Sequence, residues 1–141
     1  MDKATYRVRN RIRKHNELLA DIQEIDIKVQ EIEEEILGIS AQGTEERTGK
    51  TYKITSSVEQ QAERLMERKA NLYKEQVTKR RELKRIDNAM TILTAEERDI
   101  IQMAIILKEK YWKLEEKYNL TYSALKQREY NALNKMKKYL L

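Results

Sequence analysis

From residue 8 to residue 39 the chain repeats a spacing of three or four residues through Val8, Arg11, His15, Leu18, Ile22, Ile25, Val29, Ile32, Ile36 and Ile39. From Leu18 onward every one of these positions is apolar in 4-3 alternation, which predicts a coiled-coil seam on a long helix. A second periodic segment follows Val58, Ala62, Leu65, Lys69, Leu72, Gln76, Lys79, Leu83, Ile86, Met90 and Leu93. Lys69, Gln76 and Lys79 interrupt this stripe, while Met66, Ala70, Tyr73 and Val77 offer a neighbouring one. Ser56 with Glu59 makes a capping box at its expected start, where hydroxyl and carboxylate each satisfy an orphan amide.

The three glycines, Gly38, Gly43 and Gly49, fall within the polar stretch between the two segments. That stretch reads as a loop over about residues 39–56, with Tyr52, Lys53 and Ile54 its most strand-like part. The expected result is an antiparallel hairpin over residues 1–93, built from helices of about 4–38 and 57–91. A further capping box, Thr94 with Glu97, opens a third part over residues 94–141. Apolar positions Ile100, Ile101, Ala104, Ile105 and Leu107 follow, then a segment Tyr111 to Tyr118, a turn at Asn119-Leu120, and an apolar face of Leu125, Ala132, Leu133, Met136, Leu140 and Leu141. The fold class expected is all-α, an N-terminal antiparallel coiled-coil hairpin followed by a C-terminal three-helix helix-turn-helix domain.

Composition supports the helical reading and removes most enzymology. The 141 residues contain no cysteine, no proline and one histidine. There is no thiolate site or disulfide framework, no multi-histidine zinc cage, and no Ser-His-Asp constellation unless His15 serves as its base. No enzyme, cofactor or metal is therefore expected. Glu33, Glu34 and Glu35 read as a solvated helix face, and His15 as a partly buried, hydrogen-bonded seam residue. Thr44 and Gly49-Lys50-Thr51 lack the second glycine and preceding strand of a phosphate loop. No run of eighteen apolar residues and no apolar signal core occur, so the expected location is cytoplasmic with no membrane contact.

Charge is unevenly placed. Residues 1–14 hold six bases and one acid, and Glu17 to Glu35 eight acids and one base. The net +5 resolves into −2, +1, +3 and +3 for residues 1–39, 40–57, 58–93 and 94–141. In a hairpin whose facing residue numbers sum to roughly 96, Arg7, Arg9, Arg11 and Arg13 fall beside Lys79, Arg80, Arg81, Lys84 and Arg85, and the acidic stretch meets Arg64, Arg68, Lys69 and Lys74. Like charges crowded at the hairpin base cost stability unless an anion sits there, which makes this an auxiliary basic patch for nucleic acid. A solvated basic face accounts for the same residues.

Two helices joined by about three residues, the second opening on a polar cap, describe a helix-turn-helix. Asn119 takes the corner usually given to glycine, because Asn tolerates the left-handed conformation. Leu114, Leu120 and Leu125 are the expected anchors, with Trp112 closing the small core; a surface aromatic that contacts polymerase or stacks on DNA sugar is the alternative for Trp112. Thr121 caps a helix whose opposite face carries Tyr122, Ser123, Lys126, Gln127, Tyr130 and Asn131 as candidates for DNA contact. Gln pairs bidentately with adenine and Lys approaches guanine acceptors, while Lys135, Lys137 and Lys138 suit phosphates. A helical hairpin with a lysine-rich solvated face explains the same pattern.

The stretch Leu93-Thr94-Ala95-Glu96-Glu97-Arg98-Asp99-Ile100-Ile101, with this hairpin and then Ala132-Leu133-Asn134-Lys135-Met136, resembles the fourth conserved region of bacterial sigma factors, which recognises the −35 promoter element. Behind an N-terminal coiled hairpin, such a module is similar to phage and prophage late-gene activators of the ArpU/RinA kind. The resemblance implies that Tyr122, Ser123, Lys126 and Gln127 face bases and that Leu114, Leu120, Leu125 and Leu133 are core. Glu115 departs from the alanine usual in that family and is expected to tilt outward or pair with a base; Asn131 replaces a common basic residue.

No segment has room for a −10-melting domain, so the expectation is an accessory transcription regulator. It would bind double-stranded DNA and activate phage or prophage promoters with host RNA polymerase, self-associating through the coiled segments into a homo-oligomer. Two alternatives stay open: a phage terminase small subunit bound to packaging-site DNA, and a structural or adaptor coiled coil that binds protein partners alone.

Overall fold

A computed structural model describes residues 2–45 and 51–141, with side chains for 2–39 and 57–141. Among the described residues the chain is all-α: α1 Lys3–Arg13, α2 His15–Glu45, α3 Thr51–Met90, α4 Ala95–Ile101, α5 Tyr111–Tyr118 and α6 Tyr122–Leu140, with a π-helical segment Gln102–Ile106 continuing α4. The connection is shorter than its polarity suggests. Helix α2 continues to Glu45 and α3 begins at Thr51, which places Ser56 inside α3, where it cannot act as an N-cap, and makes the backbone at residues 52–54 helical. Residues 46–50 of the expected loop lie outside the described residues.

The chain divides into two compact units, but not at residue 93. One is residues 20–79, and the other combines residues 1–19 with 80–141.

In the unit of residues 20–79 the expected seam is buried: Ile22, Ile25, Val29, Ile32 and Ile39 on α2. The two helices run antiparallel, because Lys79 bonds Asp21 at 2.8 Å and Lys69 bonds Glu33 at 2.9 Å, so partner numbers descend on one helix as they rise on the other. Gln76 occupies a seam position and is 3% exposed. Its amide donates to the Ile22 carbonyl at 3.0 Å and to Asp26 at 2.6 Å. A satisfied buried amide at one seam position fixes register, since sliding by a heptad would strand it in apolar surroundings.

In the other unit, α1 joins the C-terminal helices. Its helix starts on Asp2, whose carboxylate accepts from the Thr5 amide at 2.7 Å. That bond, with Lys137 3.1 Å away, holds the Asp2 carboxyl far below the usual carboxylate range. Val8 and Ile12 are buried with Ile86, Ala89, Met90, Leu93, Ile100, Ile101, Leu114, Leu125, Leu133 and Met136 in one core. Ile12, not Arg11, is therefore the inward residue after Val8. The apolar phase shifts between Ile12 and Leu18, and there the helix breaks, at Lys14. A 48-residue C-terminal domain has too little interior of its own, and α1 with the end of α3 enlarges it.

Two arginines tie the elements together. Arg98 donates to the Met90 and Leu93 carbonyls at 3.3 and 3.2 Å, capping the end of α3. Arg11 donates to the Leu140 carbonyl at the end of α6 at 2.6 Å. Cations at helix C-termini satisfy orphan carbonyls and oppose the helix dipole. The Thr94–Glu97 capping box forms as expected, with both reciprocal bonds present.

Candidate nucleic-acid interface

Helices α5 and α6 form a helix–turn–helix. Asn119 adopts the left-handed conformation, φ 51° and ψ 48°, and its amide donates to the Glu115 carbonyl. The Leu120 amide donates to the same carbonyl at 3.2 Å. The Thr121 hydroxyl then accepts from the Ala124 amide at 3.2 Å and caps α6. Leu114 and Leu125 are fully buried, which fixes α5 against α6, while Leu120 is partly buried against the same core. Glu115 is half-buried.

On α6, Tyr122, Ser123, Gln127 and Asn131 are exposed and Tyr130 is half-buried. Tyr122 keeps 52% of its surface and stands edge-on to Tyr111, ring centres 5.3 Å apart. The Gln127 amide donates to Asn131 at 3.1 Å, so these two side chains present a joined donor and acceptor set to solvent. That is the chemistry needed to read adenine edges.

Lys126 is placed differently from the expectation. Its ammonium bonds the Tyr111 hydroxyl at 2.9 Å, lies 4.4 Å from that ring's centre, and is 3.8 Å from Glu129. Burial works against its charge, but the Tyr111 hydroxyl and the Glu129 carboxylate outweigh that and hold its pKa above the ordinary lysine value. Lys126 therefore braces α6 instead of reaching outward.

Glu129 was not singled out by the sequence. It is completely buried, accepts from the Tyr111 hydroxyl at 2.7 Å, and has Arg9 at 3.4 Å from its other oxygen. That oxygen has no aligned hydrogen bond, so the Arg9 contact is an ion pair by charge and proximity. The signal was present as one acid on an otherwise basic helix, but its partners lie on α1 and α5 and no local pattern joins them.

The basic residues assigned to phosphates are divided by the structure. Lys135 bonds Glu97 at 2.8 Å and Lys137 bonds Asp2 at 3.1 Å, whereas Lys138 is exposed beside the Tyr139 ring. In the auxiliary patch, Arg9 belongs to Glu129, and Arg11 makes a bidentate pair with Glu82 at 2.8 and 2.7 Å. Lys79 lies in the other unit with Asp21. Arg7, Arg13, Arg80, Arg81, Lys84 and Arg85 are exposed, and Arg81, Lys84 and Arg85 line one shallow depression with Asn88. The crowding expected at the hairpin base is thus relieved in part internally, by Glu82 and Glu129. His15 is hydrogen-bonded as expected, its Nε2 3.0 Å from Asp87.

Trp112 does not close the core. It is 51% exposed at the start of α5, where it contributes a surface aromatic beside Lys113. The docking of α5 on α4 is instead made by Asp99, which accepts from the Tyr118 hydroxyl and from Lys117 at 2.7 Å. Burial and the Asp99 carboxylate push the Tyr118 phenol up to about 12. A raised folded pKa stabilises the fold below the unfolded value, and that contribution is lost as pH rises from about 10 through 12. Absorbance titration of the phenolates should show a late component near pH 12, and Asp99→Asn should move that component to lower pH.

Among the described residues no group of side chains could hold a metal ion, and no helix is long and apolar enough to cross a membrane. Comparison of the chain with protein-family models, with characterised proteins and with solved structures yields no match.

Proposed function

We propose that the unit formed by residues 1–19 and 80–141 binds double-stranded DNA sequence-specifically and regulates transcription, acting at phage or prophage promoters with host RNA polymerase. The observation that carries this reading is the α5–Asn119–α6 turn, with a capped second helix whose N-terminal half exposes Tyr122, Ser123, Gln127 and Asn131. A helix held this way enters the major groove with its first turns against base edges. The sigma-like order of the Thr94 box, the turn and Ala132-Leu133-Asn134-Lys135-Met136 supports the promoter assignment.

Gln127 and Asn131 are the base readers in this proposal, Tyr122 and Ser123 flank them, and Lys126 holds the helix in place through Tyr111. Exposed Lys138, Arg81, Lys84 and Arg85 supply phosphate contacts, which position without specifying.

The test begins with selection of bound duplexes from a random-sequence pool, which should enrich one motif. On that motif, Gln127→Ala with Asn131→Ala should cost about 2–5 kcal/mol, with little change on unselected DNA. Equal losses on both DNAs, or no enriched motif, would overturn base readout by this pair.

A further inference from the structure

Helix α3 carries a second apolar stripe that its own chain leaves open. Met66, Tyr73 and Val77 are 60%, 43% and 44% exposed, and Ala70 between them is exposed too. The spacing is four, three and four residues, the period of a coiled-coil seam, and it lies on the flank of α3 beside the seam of half-buried Leu65 and Leu72 and buried Gln76. A helix facing solvent gains nothing from a second seam, and scattered exposed apolar residues rarely keep a heptad phase.

We propose that this stripe is a self-association surface on which α3 of a second copy packs antiparallel about a two-fold axis between Asn71 and Leu72. In that arrangement Met66 lies across from Val77 of the second copy, and Ala70 across from its Tyr73. The small side chain leaves the space that the ring fills, and the relation repeats with the copies exchanged, as an isologous interface requires. A parallel in-register pair would set Tyr73 against Tyr73 and leave a gap between two alanines.

Charge points to the same occupant. Glu67 and Lys74, both exposed, lie one position beyond the stripe on its outer flank. Antiparallel pairing sets Glu67 of each copy beside Lys74 of the other, so two opposite-charge contacts border the apolar centre. Self-association through α3 does not depend on what the other unit binds.

The full chain tests this directly, because it contains no cysteine. With Met66→Cys and Val77→Cys made separately, mild oxidation of an equal mixture should give a 66–77 disulfide, with little product from either variant alone. Homotypic 66–66 or 77–77 disulfides would show a different pairing and overturn the proposal, as would the absence of any disulfide. Sedimentation of the unoxidised chain should show a dimer, which Glu67→Lys or Lys74→Glu weakens roughly tenfold and the two together restore. All four changes lie at exposed positions, and circular dichroism checks that each variant folds. A monomer at every concentration, or a double reversal no better than the singles, would also sink the proposal.

Discussion

Ile12→Ala is expected to lower the stability of the unit containing the helix–turn–helix by about 2–5 kcal/mol. Ile12 is fully buried in the same core as Leu114, Leu125 and Leu133, although more than a hundred residues separate it from that turn. Truncation leaves a cavity that a packed core closes only in part. Denaturant unfolding followed by the fluorescence of Trp112, the single tryptophan, reports on this unit because the residue stands at the start of α5. A loss below about 0.5 kcal/mol, the size of an ordinary surface substitution, would mean that the C-terminal helices are stable without α1. For the same reason a fragment of residues 94–141 should fail to unfold cooperatively, since it lacks Val8, Ile12, Ile86, Ala89 and Met90.

The second large effect should come from Arg9→Met, at about 3–5 kcal/mol. This change leaves the completely buried Glu129 carboxylate with Tyr111 and Lys126 but without its guanidinium. The size reflects a buried charge left only partly compensated more than the net worth of the ion pair. Arg9→Met combined with Glu129→Leu should recover most of the loss, because an apolar pair of similar volume removes the charge altogether. If the double variant is no more stable than the single, Glu129 owes nothing to Arg9 and the cluster is held by Tyr111. Before either reaches global unfolding, the cluster variants should also loosen α6, so the proposed DNA binding is best tested where circular dichroism shows full helicity.

Much of this architecture could be read from the residues. The 4-3 seam from Leu18 to Ile39, the Thr94–Glu97 box, the left-handed Asn119 and the Thr121 cap are all local, depending on neighbours within about four positions. The buried face Leu125, Ala132, Leu133, Met136 and Leu140 likewise follows from helical periodicity. Elsewhere local and distant demands compete, and the local pattern misleads. Ser56 and Glu59 have the composition of a helix start, yet α3 already runs through them from Thr51. Arg11 kept the seam phase and Ile12 did not, but burial of Ile12 in a core assembled from five helices outweighs one step of periodicity.

The candidate site shows the same division. Exposure of Tyr122, Ser123, Gln127 and Asn131 follows from the position of the apolar face. The fates of Lys126, Arg9, Arg11, Lys135 and Lys137 do not, because each ends on an acid or hydroxyl supplied by another element. A count of bases measures positive charge, while the number available to a phosphate depends on which bases have already found carboxylates.

By itself the sequence determined that the chain is helical, which faces are apolar, and where helices α4 and α6 begin, since these depend on spacing and capping chemistry within single segments. Tertiary structure decided that α1 belongs to the C-terminal core, that Glu129 is buried, and that Trp112 is not. Those outcomes depend on how much interior a short set of helices can enclose alone, and on which distant side chains meet once it borrows more.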